Sequence, residues 1–276
     1  MKLTIDSSSY QVLCHFLKSS SGIDLGSNKQ YLVENRLSPL LKKFEVLSFS
    51  DLLPYLSLST SFAVRLKSAI IDAMTTNETS WFRDDIQFKA LQNDVLPEIA
   101  LRANSAIKIW SAGCSSGQEP YTMSICCEEM VRLSALRANI QIIGTDISET
   151  VLAEARKGIY SDISMRRGLD NSFYQRYFQE VSDGYLLNSS VMRHVRFQYL
   201  NLLESFSHLG QFDVIFCRNV LIYFSDAVKR DILIRLADSL TPGGYLFLSS
   251  TETIPIDLNM FKVIRGHQAR YFQKIS

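Results

Sequence analysis

The sequence predicts an α/β protein in which a mostly parallel sheet follows an all-helical N-terminal region and a small antiparallel insertion interrupts the sheet. Three observations carry this expectation. From about Ala106 onward, short apolar runs alternate with longer helical stretches, which is the texture of βαβ units. Before that point, the first seventy or so residues show helix-like spacing and few strand signals. Between Gly158 and Asn201 the alternation breaks.

In the helical region Leu32, Leu37, Leu40 and Leu41 recur with helical spacing, and Lys29, Arg36, Lys42 and Lys43 occupy intervening positions. The pattern is an amphipathic helix with a basic outer side. It has two readings: a solvated face, or a docking surface for an acidic helical partner. Farther on, "AIKIW" (Ala106–Trp110) is strand-like and leads to a turn at Gly113. Met123, Cys126, Cys127 and Met130 then fall at i, i+3, i+4 and i+7, one face of a helix. "NIQIIGTDI", "FDVIFCRN" and "GYLFLSS" supply three more strands, the last preceded by the turn "TPGG". "YLLNSSVMRHVRF" (Tyr185–Phe197) reads as short strands around a polar turn, which puts the insertion at about residues 160–200.

At 276 residues the chain accommodates one full-sized domain and a smaller one. A net charge of +1, from 29 basic and 28 acidic residues, gives no global attraction to nucleic acid or anionic lipid, so neither is expected as a partner. The five cysteines are scattered without a C-x-x-C pair, which argues against a disulfide framework and a structural zinc site. No metal is expected. The N-terminal stretch lacks a signal-like apolar core, and no apolar window is long enough for a membrane span. A cytoplasmic protein without direct membrane insertion is expected.

"IWSAGCSSGQEP" (Ile109–Pro120) admits two chemistries. Gly113 to Gly117 satisfies the G-x-S-x-G pattern of a hydrolase nucleophile elbow, and it equally suits a glycine turn that admits a nucleotide. Ser116 and Glu119 have capping-box spacing, and Pro120 falls in the first helical turn. An elbow serine needs a downstream acid and histidine. The histidines after Ser115 are His194, His208 and His267, all in polar settings, and no glycine-rich oxyanion segment precedes Ile109. A nucleotide-type cofactor needs a close backbone approach at the first turn and an acid after the second strand. Asp146 is placed for the second task, although its distance from Gly113 exceeds the roughly twenty residues typical of dinucleotide folds. Asp146 could instead cap a helix beginning near Glu149.

The pattern becomes specific when "TTNETSWFRD" (Thr75–Asp84) and "FDVIFCRNVLIYF" (Phe212–Phe224) are added. With "NKQYLVENRL", "IWSAGCSSGQEPY", "GTDIS", "YLNLL" and "LTPGGYLFLSSTE", all in this order, the chain resembles the CheR family of chemotaxis-receptor glutamate methyltransferases. The resemblance implies a Rossmann-like methyltransferase domain over residues 76–276, dependent on S-adenosylmethionine, and a helical receptor-docking domain over residues 1–75. It also implies esterification of glutamates on the cytoplasmic helical methylation region of chemoreceptors, with S-adenosylhomocysteine as product. By similarity, Asn77, Thr79, Arg83, Gly113, Glu119, Asp146, Asn201, Leu202, Arg218 and Asn219 would line the cofactor site. Arg83 and Tyr223 match family positions beside the transferred methyl group. The basic face of Lys29, Arg36, Lys42 and Lys43 would steer the receptor helix.

The sequence departs from the family pattern at Ser116, Gln118 and Trp81, and in "STET". "FQEVSDGYLLNSSVMRHVRF" is shorter than the insertion of relatives that grip a receptor's C-terminal peptide tether, so a tether-independent form is expected. Tyr223 alone reads as a core aromatic, Asn77 and Asn219 as turn residues, and Cys114 and Cys217 as small packing residues. Trp81 and Phe82 fit either a cover over the cofactor or the core.

Overall fold

A computed structural model describes residues 3–102, 106–133, 139–266 and 269–275. The N-terminal region folds into α1 (Ser7–Ser21), α2 (Gln30–Lys43), α3 (Phe49–Ser57) and α4 (Ser61–Met74). Side chains set their starts: Asp6, Ser48 and Thr60 accept backbone N–H groups from the first turns of α1, α3 and α4. Leu13, Leu17, Leu37, Leu41, Leu66 and Ile70 interlock as their core. On α2 the buried stripe is Val33, Leu37 and Leu41, while Leu32 and Leu40 flank it half-buried. The expected amphipathic helix is present.

The chain continues through α5 (Asp85–Ala90), a wide π-type turn at Leu91–Val95 and α6 (Leu96–Arg102) to β1 (Ile107–Ala112). Then follow α7 (Gln118–Arg132), β2 (Ile140–Asp146), α8 (Glu149–Lys157), β3 (Ile159–Tyr160), α9 (Asp162–Met165), α10 (Asn171–Tyr177), β4 (Phe178–Val181) and β5 (Gly184–Leu187). The last part comprises α11 (Ser189–Met192), β6 (Val195–Tyr199), β7 (Phe212–Phe216), α12 (Asp226–Asp238), β8 (Leu240–Phe247), β9 (Phe261–Gly266) and β10 (Ala269–Lys274).

Seven strands form the main sheet in the order β6-β2-β1-β7-β8-β10-β9. The first five run parallel, and β10 and β9 close one edge antiparallel. Covered on both faces, β1 and β7 are apolar almost throughout, as central parallel strands must be. One face packs Met123, Cys126, Cys127 and Met130 of α7 against Phe216 and Phe247. The other packs Trp110, Ile215 and Leu246 against Leu233 and Leu236 of α12. The predicted face of α7 is therefore the one that packs on the sheet, while Tyr121 and Ile125 are buried on its other side against the insertion. Strand order reverses around β1, so a crevice opens where β1, β2 and β7 end, the place where such sheets bind ligands.

The insertion differs from the sequence expectation at its C-terminal end. Its sheet is β3-β5-β4, with β4 and β5 joined by a tight turn between Val181 and Gly184. Residues 195–197, expected in the same small sheet, belong instead to β6, which pairs parallel with β2 from Ile142 opposite Val195. The helical turn α11 carries the chain between the two sheets. Pairing β6 with β2 lets Phe197 cover Gly144 and Tyr121, an environment the two-stranded hairpin alone would not provide.

Trp81 is fully buried against Tyr160 and Phe178, at centroid distances of 4.8 and 5.1 Å, and Phe82 stacks on Phe173 at 5.0 Å. Trp81 belongs to the core beneath the insertion, Phe82 packs half-buried against it, and neither lines the cavity. Glu129 of α7 fixes α10 by accepting from Tyr177 at 2.6 Å and from Arg176, and it also binds Arg132 at 2.7 Å. No described helix is long and apolar enough to cross a membrane.

Candidate active site

The crevice is built from the turn after β1. Gly113 has φ +79° and donates to Thr145 O at 2.8 Å, and a Cβ here would lie 2.3 Å from Val220 Cγ2. Only glycine permits both this backbone conformation and this approach. Ser115, also at positive φ, donates its N–H to Asp146 Oδ2 at 2.9 Å and its hydroxyl to Asn77 O at 2.8 Å. The Asp146 carboxylate also accepts Ser148 N–H at 3.0 Å. It therefore ties the end of β2 to the β1 turn, while Ser148 caps α8 by accepting from Val151 N–H. The helix-capping alternative for Asp146 falls to its neighbour.

The capping box expected of Ser116 and Glu119 does not form. Gly117, at φ +92°, is the residue before α7, and no side chain caps that helix. Ser116 turns to Gln118 Oε1 at 2.9 Å. Glu119 points back across the crevice to accept from Ser111 Oγ at 2.8 Å and Arg218 Nη1 at 3.0 Å. A buried guanidinium competes for this carboxylate more strongly than an exposed N-cap amide would.

Arg218 is the hub. Its side chain is 1% exposed, and its Nη2 donates to Asp84 Oδ2 at 2.7 Å and to Arg83 O at 2.6 Å. The guanidinium lies over the rings of Phe88 and Phe216 at 5.5 and 6.0 Å. Its buried Nε has no hydrogen-bond partner, leaving one donor available. Burial pushes the Glu119 carboxyl above its ordinary value, with Arg218 opposing, and it raises Asp146 against the N–H groups of Ser148 and Ser115. Cys114 and Cys217 are driven far up by burial, so they act as packing residues, not thiolate nucleophiles.

The cavity collects every residue expected at the cofactor site: Asn77, Thr79 and Arg83 from the segment after α4; Gly113 and Asp146 from the ends of β1 and β2; Glu119 from the first turn of α7; Asn201, Leu202, Arg218 and Asn219 from the loops after β6 and β7. Tyr223 lines it too. These residues do not contribute alike. Both amide ends of Asn201 are engaged internally, Nδ2 with Ser20 O at 2.7 Å and Oδ1 with Leu203 N–H at 3.1 Å. It binds the end of α1 to the sheet. Arg83 donates to Glu78 O at 3.0 Å and stays half-buried at the cavity wall.

The basic residues of α2 and of its N-cap position separate. Lys29 lines the cavity, whereas Lys42 and Lys43 are exposed at the C-terminal end of the helix. Arg36 is not an outward group: its Nη1 donates to Met74 O and Thr75 O at 2.9 and 2.8 Å, and its Nη2 reaches Thr76 Oγ1 at 3.3 Å. The carbonyls left unpaired at the end of α4 claim it, a use that charge spacing along α2 could not reveal. Sequence reasoning also missed Ser111, Ser115, Asp84 and Glu252. All four sit inside the family-like motifs, so position within those motifs was the available signal.

Hydrolase chemistry has no support here. Among the described residues no histidine lines the cavity; His194 pairs with Glu128 at 2.8 Å, His208 is exposed on a turn, and His267 lies outside the described residues. The donor set fits S-adenosylmethionine instead. A buried acid at the end of β2 suits ribose hydroxyls, the unpartnered Arg218 donor and Arg83 suit a carboxylate, and Ile147 and Leu202 offer apolar walls to a base.

Family comparison agrees with this crevice. Residues 8–75 match the CheR methyltransferase all-alpha domain, and residues 77–270 match the CheR methyltransferase SAM binding domain. Chemotaxis protein methyltransferase 1 of Vibrio cholerae is 45% identical over 265 residues, 95% of each chain. Its namesake from Pseudomonas aeruginosa is 46% identical over 244 residues, covering 87% of this chain and 88% of the relative. The chemotaxis protein methyltransferase of Borreliella burgdorferi is 34% identical over 254 residues, 90% of this chain and 89% of its own. Matched through its helical region and through every element that walls the crevice, the chain belongs to the CheR methyltransferase family and is an S-adenosylmethionine-dependent methyltransferase.

Proposed function

We propose that this chain is a chemotaxis methyltransferase that converts glutamate side chains on the cytoplasmic helical region of chemoreceptors into methyl esters. The observation that carries this reading is the convergence of Arg83 and Tyr223 on the cavity that holds Glu119, Asp146 and Arg218, where among the described residues no histidine lines the wall and burial holds the Cys114 thiol protonated. The chemistry supplied by bound S-adenosylmethionine is a sulfonium methyl, given to a carboxylate oxygen with S-adenosylhomocysteine as by-product. A glutamate side chain, with an ordinary pKa of about 4.3, is already ionised at neutral pH and needs no general base. A cavity without a basic imidazole suits that substrate.

The chain's own tasks are then binding, alignment and exclusion of water. Asp146 would accept ribose hydroxyls, Glu119 with Arg218 would fix the polar end of the cofactor, and Arg83 would hold a carboxylate by its remaining donors. Tyr223, on the same cavity wall, would lie beside the methyl group. The helical domain docks the receptor: Lys42 and Lys43 steer acidic helices, and Lys29 continues that charge to the cavity. The compact β4–β5 hairpin goes with docking that needs no C-terminal tether. The reaction belongs in the cytoplasm, where receptor methylation regions lie.

The test is transfer of labelled methyl from S-adenosylmethionine to chemoreceptor-rich membranes, followed by mild alkali. Volatile label released by alkali, and absent with Arg83→Ala, is the expected result. Cofactor binding without such label would overturn the receptor-glutamate reading.

A further inference from the structure

The loop after β7 carries Asn219, Val220 and Tyr223, and its shape is held by a carboxylate from another loop. Glu252, 6% exposed after β8, acts as an acceptor throughout. Its Oε2 takes the N–H of Asn219 at 2.9 Å, the N–H of Ser249 at 3.0 Å and the Ser249 hydroxyl at 2.7 Å. Its Oε1 takes the N–H of Val220 at 3.2 Å. Arg270 Nη2 donates to the Glu252 carbonyl at 2.8 Å, so the acceptor itself is anchored to β10.

The two loop amides point the same way for a conformational reason. Asn219 is left-handed at φ 58° and Val220 is right-handed, the backbone pair whose successive N–H groups make an anion-binding concavity. Glu252 fills it. The consequences run directly to Tyr223, because the Val220 carbonyl accepts Tyr223 N–H at 3.2 Å and starts the short turn Leu221–Tyr223. The Val220 side chain meanwhile fills the space facing Gly113. One carboxylate thus sets both the cavity wall opposite the glycine turn and the backbone that presents Tyr223.

We propose that Glu252 is a positioning residue for methyl transfer, which acts by holding the Asn219–Val220 amides so that Tyr223 is aimed into the cavity. This rests on the reading of Tyr223 as the residue beside the methyl group. In Glu252→Gln one amide oxygen can replace only one carboxylate oxygen. With that oxygen in the Oε2 place, the amide NH2 meets Val220 N–H donor to donor, and the turn loosens while the rest of the cavity stands.

The experiment measures kcat on chemoreceptor membranes that accept methyl from the wild type, together with S-adenosylmethionine affinity, for Glu252→Gln, Tyr223→Phe, the double variant and Ser249→Ala. Glu252→Gln is expected to lower kcat by about ten- to a hundredfold, the scale of an ångström-level misplacement, and to weaken cofactor Kd by clearly less, about threefold, since Asn219 and Val220 also wall the cavity. In the Tyr223→Phe background the same change should cost less than about threefold, because residues that act as a unit are not additive. Ser249→Ala, which removes a contact to Glu252 but none to the turn, should keep kcat within about twofold of wild type. Should Glu252→Gln fail to fold, Glu252→Asp is read in the same way, since it keeps two acceptor oxygens but withdraws them from the turn. Equal losses in both backgrounds, unchanged kcat in Glu252→Gln, or a parallel loss of cofactor affinity would each overturn the proposal. Tyr223→Phe with wild-type kcat would overturn the reading of Tyr223 itself, and is distinguished by that variant alone.

Discussion

Gly113 shows how much one residue can decide. A side chain there meets two obstacles at once, a left-handed φ of +79° and a contact of 2.3 Å with Val220 Cγ2. Gly113→Ala is expected to weaken S-adenosylmethionine binding by roughly tenfold or more, since left-handed strain alone costs about 1–2 kcal/mol. Titration calorimetry checks this; a wild-type Kd would mean that the turn relaxes freely. At this scale the sequence was informative where chemistry depends on residue type: Gly113, Glu119, Asp146 and Arg218 were all identifiable through their motifs. Partners were less legible. That Glu119 belongs to Arg218 and Ser111 and not to a capping box, or that Glu252 serves Asn219 and Val220, depends on atoms brought together from separate loops.

Among the elements, α2 is the instructive case. Its apolar stripe was evident from spacing, but its three basic residues were not equivalent once α4 was packed beside it. Arg36 holds the last carbonyls of α4 and the entry to Asn77, whereas Lys42 and Lys43 remain in solvent. Charge reversal at Lys42 and Lys43 is expected to raise the receptor KM about three- to tenfold and leave cofactor Kd unchanged. Arg36→Ala should do the opposite, with lower thermal stability and weaker cofactor binding but little change in the receptor KM. Steady-state kinetics paired with calorimetry separates the two, and identical behaviour of the variants would refute the division. The misplacement of residues 195–197 has a similar origin. A short strand of alternating character fits a small hairpin or a sheet edge equally well, and only the exposed edge of β2 selects between them.

Across the whole molecule, the site is closed by both parts of the chain. Asp24 N–H donates to Tyr223 O at 3.2 Å, Asn201 holds Ser20, and Gly22 lies where a Cβ would strike Phe224 at 2.3 Å. This enclosure raises the two acids that line the cavity, through burial first, despite Arg218 beside Glu119 and the amides around Asp146. On the proposed reading both carboxyls would accept from ligand donors, so protonation would compete with binding. Affinity for S-adenosylmethionine should therefore fall as pH is lowered, beginning above the ordinary carboxylate value of 4.5. Glu119→Gln should flatten that dependence; a Kd independent of pH between 7 and 5 would contradict it. The sequence by itself determined the α/β class, the helical region, the sheet-packed face of α7 and the residue types of the site, because periodicity and turn chemistry are local properties. Tertiary structure alone decided which sheet β6 joins, that Trp81 and Phe82 pack with the core, that Arg36 turns inward and that Glu252 reaches the Tyr223 loop. Those outcomes depend on competition between partners distant along the chain, and such competition is resolved only when the partners meet.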